Sequence, residues 1–206
     1  MADEREGLPA TPRTARFTFV VPLVIAIVAI ALWEIVVRVN DVPEYVIPAP
    51  SKVAETLVSD WPTLWPALLV TLKITFLALL LAIVGGVLLA VLFALSRWVE
   101  ISLFPFAVIL QVTPIVAIAP LILIYAPNTT VALLVCAWIV AFFPILANTV
   151  VGLRSADPNL KDLFALYEAS PWQRLRYLLV PSALPYFLAG LKIAGGLALI
   201  GAVVAE

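Results

Sequence analysis

The chain has 206 residues, 64% of them hydrophobic and 12% charged, and its mean hydropathy is +1.14. Soluble domains are roughly 45–50% apolar and about 25% charged, so a chain this small and this apolar must take the bilayer as its solvent. The formal net charge of −1 argues against nucleic-acid binding, the absence of histidine excludes histidine metal sites and histidine acid–base catalysis, and the single cysteine, Cys136, allows no internal disulfide.

The apolar runs predict an all-α polytopic membrane protein. The first span covers Phe17 to about Val39. Its flank Arg5, Arg13 and Arg16 resembles the basic end of a signal peptide, but the apolar stretch is too long and no small-residue cleavage site follows. It reads as a retained anchor. Further spans are expected at Ile74–Leu95, Ile101–Tyr125, Thr129–Val151 and from Leu184 to Glu206, about five in all.

Basic residues set the expected orientation. The tail, residues 1–16, carries the three arginines. Segment 40–63 has Lys52 against Asp41, Glu44, Glu55 and Asp60. The turn 96–100 has Arg97, the turn 126–128 has no charge, and the loop 152–183 has Arg154, Lys161, Arg174 and Arg176. Loops alternate basic and poor, which places the N-terminus and the long loop in the cytoplasm and segment 40–63 outside. Residues 17–206 then form one transmembrane domain.

Prolines inside the spans, Pro22, Pro105, Pro114, Pro120 and Pro144, each remove a backbone hydrogen bond. Around Gln111-Val112-Thr113-Pro114 two readings stand: a helix distorted within a packed bundle, or a broken helix lining a passage. Gly85-Gly86 and Gly195-Gly196 suit close helix contact. Glu34 and Arg38 are spaced to pair along one helix face. Lys73 is placed to snorkel, and Lys192 lies deep enough to need a partner or an aqueous route. No intramembrane charge relay is visible, which disfavours a proton-coupled carrier.

The long loop has its own helical grammar. Asp157-Pro158 is a start signal, with Asp as cap and Pro at the first helical position. Leu160, Leu163, Phe164 and Tyr167 then form one apolar stripe. Ser170-Pro171-Trp172 repeats the start signal. Trp172, Leu175 and Leu179 are expected on one side of the second helix, with Gln173, Arg174 and Arg176 at polar positions. Pro181 and Pro185 are expected to end that helix and start the last span. Such a helix–turn–helix is either an interfacial anchor or a lever gripped by a soluble partner.

This loop resembles the cytoplasmic loop of bacterial ABC importer permeases, whose motif is Glu-Ala-Ala, three residues, Gly, nine residues, Ile-x-Leu-Pro. Asp162-Leu163-Phe164 stands at Glu-Ala-Ala, Glu168 at the Gly, and Leu178-Leu179-Val180-Pro181 at the end. Val46-Ile47-Pro48-Ala49-Pro50-Ser51, Gln111-Val112-Thr113-Pro114 with Ala119-Pro120-Leu121, Phe143-Pro144-Ile145-Leu146-Ala147-Asn148-Thr149, Ala169-Ser170-Pro171-Trp172 and Gly201-Ala202-Val203-Val204-Ala205-Glu206 are similar to the nitrate/sulfonate/taurine branch. The resemblance covers about residues 20–206.

The resemblance implies a homodimeric permease in the bacterial plasma (inner) membrane, surrounded by lipid. A cytoplasmic ABC ATPase and a periplasmic or lipid-anchored solute-binding protein are the implied partners. The chain has no GxxxxGK[ST] loop, so ATP is expected on the partner and no cofactor, metal or catalytic residue is assigned to this chain. The coupling residues by match are Asp162, Leu163, Phe164, Tyr167, Glu168, Ala169, Ser170, Trp172, Arg174 and Pro181. Gln111, Thr113, Asn148 and Thr149 are expected to face a central passage. Solutes of the branch include nitrate, sulfonates and taurine, and relatives carry vitamin precursors and pyrimidines. Glu168 departs from the motif: either Ser170-Pro171 rebuilds the turn or the ATPase contact is altered. The chain also ends inside its last apolar run where the family has about one further span, the pattern of a truncated product or fragment. A secondary transporter, a membrane-embedded enzyme and a non-transport scaffold are the rival readings; the first wants repeats and charged sites at depth, the second clustered acid–base groups.

Overall fold

The computed structural model of the protein describes residues 12–206, with side chains from Phe19 onward. The expected tail, with Arg5, Arg13 and Arg16, lies outside the described residues except for the first turn of helix α1, Pro12–Val39. No strand occurs among the described residues. The chain divides into two units, residues 1–66 and 67–206.

In the first unit α1 is apolar along its length and long enough to cross a bilayer. It ends in a left-handed residue, Asp41 at φ 46°, whose N–H donates to the Arg38 carbonyl at 3.4 Å while Val42 N–H donates to Val37 at 3.1 Å. Helix α2, Pro50–Ser59, starts on a proline. The expected Glu34–Arg38 pair forms at 2.5 Å. Glu34 also accepts from Ser51 N–H at 3.0 Å and Ser51 Oγ–H at 2.8 Å, so one carboxylate caps the first turn of α2 and ties it to α1.

Helix α3, Trp61–Leu95, begins well before the expected Ile74. Pro62 sits in its first turn, where a missing N–H costs nothing. The expected third span is broken. Helices α4, Arg97–Val112, and α5, Ile115–Tyr125, meet at 100° across Thr113-Pro114. Pro114 cannot continue the α4 ladder and drives Thr113 to an extended ψ of 119°. Helix α6 is Thr129–Arg154, α7 is Pro158–Leu166 and α8 is Pro171–Arg174. Helix α9 covers Val180–Ala205. Among the described residues, four helices are long and apolar enough to cross a membrane, or up to five spans result if the bent pair counts as one.

The core of the second unit is the α6–α9 pair. Gly152 lies against Ala183, Gly190 against Asn148 and Gly201 against Ala137, so the pair is antiparallel in close contact. Gly86 of α3 abuts Ile145 and Leu146 of α6. Ala78, Ala82 and Ala90 on α3 and Ala194 and Ala198 on α9 are fully buried, the small-residue packing that lets backbones approach in lipid. The expected contact at Gly195-Gly196 does not form: a Cβ at either would meet nothing within 4 Å.

Pro181 does not end the loop's second helix. Residues Leu175–Leu179 form a π turn that joins α8 to α9, and Val180 N–H donates to the Leu175 carbonyl. The widened turn lies just where an α ladder would press the Pro181 ring against the Tyr177 carbonyl. The helix from Pro171 to Ala205 is therefore one uninterrupted span.

Candidate functional site

The segment between α6 and α9 is a helical hairpin fixed by local bonds. Ser155 Oγ–H donates to the Gly152 carbonyl at 2.8 Å, closing α6. Asp157 accepts from Asn159 N–H at 2.7 Å and Pro158 opens α7, as the sequence predicts. Ser170 and Gln173 form a reciprocal capping box, with bonds of 3.3 and 2.8 Å, at the start of α8.

The turn between the two helices is set by Glu168, at φ 51°. Glu168 N–H donates to Ala165 at 3.0 Å and Ala169 N–H to Phe164 at 2.9 Å. These two bonds make a Schellman cap with Glu168 in the left-handed position that usually holds glycine. Ser170-Pro171 starts the next helix but does not replace the turn. The turn thus takes the left-handed backbone that suits glycine, with a strained residue in it.

The hairpin divides its apolar residues between inside and outside. Phe164 is half-buried and packs on the core; Leu175, Leu178 and Leu179 are buried. Leu166 is 80% exposed, Tyr167 79%, Trp172 65% and Tyr177 64%. A cavity of about 310 Å³ between the arms is lined by Leu163, Phe164, Tyr167, Ala169, Gln173 and Tyr177. Asp162, Glu168, Ser170, Arg174 and Pro181 are exposed. The expected shared face of Trp172, Leu175 and Leu179 splits, because the π turn changes the angular offset between successive residues. Leu166 and Tyr177 were not singled out by periodicity. Leu166 is off the α7 stripe, and the π turn sets where Tyr177 points.

The four candidate pathway residues sit in two places. Gln111 is exposed and Thr113 half-buried at the α4–α5 break, where Thr113 Oγ–H donates to the Ile109 carbonyl at 2.6 Å. Asn148 and Thr149 lie on α6 and bond back to their own helix, to Pro144 at 2.9 Å and Ile145 at 2.6 Å. Thr149 is buried, and Asn148 packs against Gly190. No group of three or more metal-ligating side chains occurs among the described residues.

Several apolar helices long enough to span a bilayer, with a helical hairpin between two of them, define a polytopic α-helical membrane protein. Residues 82–206 match the family of binding-protein-dependent transport system inner membrane components, and the chain belongs to that family. It is 35% identical over 185 residues to an ABC transporter permease protein of Haemophilus influenzae, covering 90% of this chain and 76% of that one. It is 34% identical to the formylaminopyrimidine transport permease protein ThiX of Halalkalibacterium halodurans, over 90% of this chain and 74% of the relative. The aliphatic sulfonates transport permease protein SsuC of Bacillus subtilis is 27% identical over 98% of this chain and 74% of its own length. A crystal structure of an amino acid ABC transporter shares the fold, with a TM-score of 0.61 at 22% identity, over 72% of this chain and 73% of that one. The protein is thus a multi-pass membrane permease of the nitrate/sulfonate branch, the translocation subunit of an ABC importer for a small solute. Permease components of ABC transporters are not themselves enzymes.

Proposed function

We propose that this permease works as a homodimer coupled to a separate cytoplasmic ATPase through the α7–α8 hairpin, and that a periplasmic or lipid-anchored binding protein delivers its solute from the opposite side. The carrying observation is mechanical. The hairpin presents exposed Leu166, Tyr167 and Trp172 at the end of a helix that continues unbroken into the last span. Large apolar side chains gain roughly 1.5–3 kcal/mol each when fully buried. A partner that covers these three would therefore hold the end of a rigid lever, and closure of its nucleotide sites would move α9 with the hairpin. The open face at Gly195-Gly196 suits a second copy of the chain.

The N-terminus and the hairpin share the cytoplasmic side in this reading, following the basic loops. The passage runs past the α4–α5 break, where Gln111 and the freed carbonyls near Pro114 offer uncharged hydrogen-bonding groups. Such a lining suits a neutral heterocycle of the pyrimidine or vitamin-precursor class better than nitrate, a sulfonate or taurine. The formylaminopyrimidine permease ThiX is among the relatives of higher identity. ATP-dependent uptake into proteoliposomes holding permease, ATPase and binding protein tests the assignment. Accumulation of a labelled aminopyrimidine, abolished without ATP, is the expected result. Accumulation of the sulfonate alone would move the solute class, and uptake independent of ATP would remove the coupling.

A further inference from the structure

We propose that the cavity between the α3–α4 turn and the hairpin binds the phosphate headgroup of an anionic phospholipid. The cavity, of about 270 Å³, is lined by Arg97, Glu100, Arg154, Lys161 and Arg174. Glu100 is the one carboxylate among them and is already paired with Arg154. Lys161 Nζ donates to the Arg154 carbonyl at 3.0 Å, which uses one of its three N–H groups. Among the described residues, Arg97, Lys161 and Arg174 form no ion pair. Cations brought to one cavity from α4, α6, α7 and α8 repel one another, and an anion between them relieves that repulsion. Guanidinium groups match phosphate oxygens two at a time.

The depth of the cavity identifies the source of the anion. Its other wall is Ala90, Phe93, Val150 and Leu153, residues of the membrane-spanning helices α3 and α6. The cations therefore stand where spans leave the bilayer. Trp98, beside Arg97, is exposed, and tryptophan settles at headgroup level. Arg97, Glu100 and Arg154 also bound a second cavity, of about 340 Å³, completed by Ile101, Phe104 and Pro105. Its apolar side, Ile101, Phe104 and Pro105, gives an acyl chain a place beside the headgroup. A free phosphate would use only the first cavity. An acidic segment of the ATPase would leave the apolar wall and that apolar side unused. Basic pockets between spans are sites of this chemical kind.

Native mass spectrometry of the full-length permease in mild detergent tests the proposal without the ATPase, so its outcome does not depend on the coupling reading. Phosphatidylglycerol is titrated against phosphatidylcholine of the same acyl chains, with inorganic phosphate as competitor. Wild type should retain phosphatidylglycerol in preference, and phosphate should not displace it. R97Q/R174Q should lower the apparent phosphatidylglycerol affinity about tenfold and leave phosphatidylcholine unchanged. R97K/R174K, which keeps both charges but not the two-pronged guanidinium contact, should fall between wild type and R97Q/R174Q, and K161Q alone should lose less than R97Q/R174Q. Equal binding of the two lipids by wild type, or wild-type phosphatidylglycerol affinity in R97Q/R174Q, overturns the site. Full displacement by phosphate overturns its assignment to lipid. Normal lipid binding by R97Q/R174Q together with lost ATPase capture would give these cations to the ATPase instead.

Discussion

Glu168 sits in a backbone conformation that costs an L-residue about 1–2 kcal/mol, at φ 51° between the two hairpin helices. Glycine relieves that strain but loses more chain entropy on folding, roughly 0.5–1 kcal/mol. Glu168→Gly should therefore stabilise the permease by about 0.5–1 kcal/mol, read as a raised thermal midpoint of the purified protein. A lowered midpoint would mean that the glutamate side chain makes a compensating contact. The motif spacing located this turn in the sequence, but only the paired bonds to Phe164 and Ala165 reveal that Glu168 itself takes the left-handed position. A second residue-scale test lies at Gly190, where a Cβ would come within 2.8 Å of both Asn148 Cβ and the Pro144 carbonyl oxygen. Neither atom can swing away. Gly190→Ala should cost about 1–3 kcal/mol, whereas Gly195→Ala, facing open space, should not destabilise the isolated protomer. Equal thermal midpoints for both variants would contradict the close α6–α9 contact.

Elements were legible where local rules act alone. Asp157-Pro158 and Ser170-Pro171 start α7 and α8 as their capping chemistry dictates. The break at Thr113-Pro114 follows from the restriction on a residue before proline, although its angle of 100° does not. Pro181 misleads for a physical reason. A proline forbids the α ladder only at its own position, and one widened turn absorbs it. What looked like a helix end is the joint that makes hairpin and span continuous. Inserting two glycines between Leu179 and Val180 should break that continuity. ATP-dependent uptake should then fall to background while the ATPase still co-purifies. Retained uptake would show that the hairpin does not act as a rigid arm.

At the scale of the whole molecule, the membrane class was decided by composition and the permease class by one loop, because a lipid-facing helix carries little beyond its apolarity. The proposed docking surface was less legible. Periodicity grouped Phe164 with Leu163 and Tyr167, but Phe164 is half-buried against the core while Leu166 and Tyr167 stay outside. Phe164→Ala should thus lower thermal stability more than it weakens ATPase binding. Orientation is open to cysteine labelling in a Cys136→Ala background. Position 128 should react from the periplasm in intact cells and position 174 should not; the reverse pattern would invert the topology. The claim on which the account turns is that the hairpin's exposed apolar residues hold the ATPase. Co-purification of the ATPase with Leu166→Ala/Tyr167→Ala permease measures it most directly. At roughly 1.5–3 kcal/mol per side chain fully buried, before the ordering costs of association, the double variant should lose the ATPase by tenfold or more, with thermal stability close to wild type. A double variant that keeps the ATPase at wild-type stoichiometry and transports normally would contradict the account and leave the hairpin an anchor at the membrane surface.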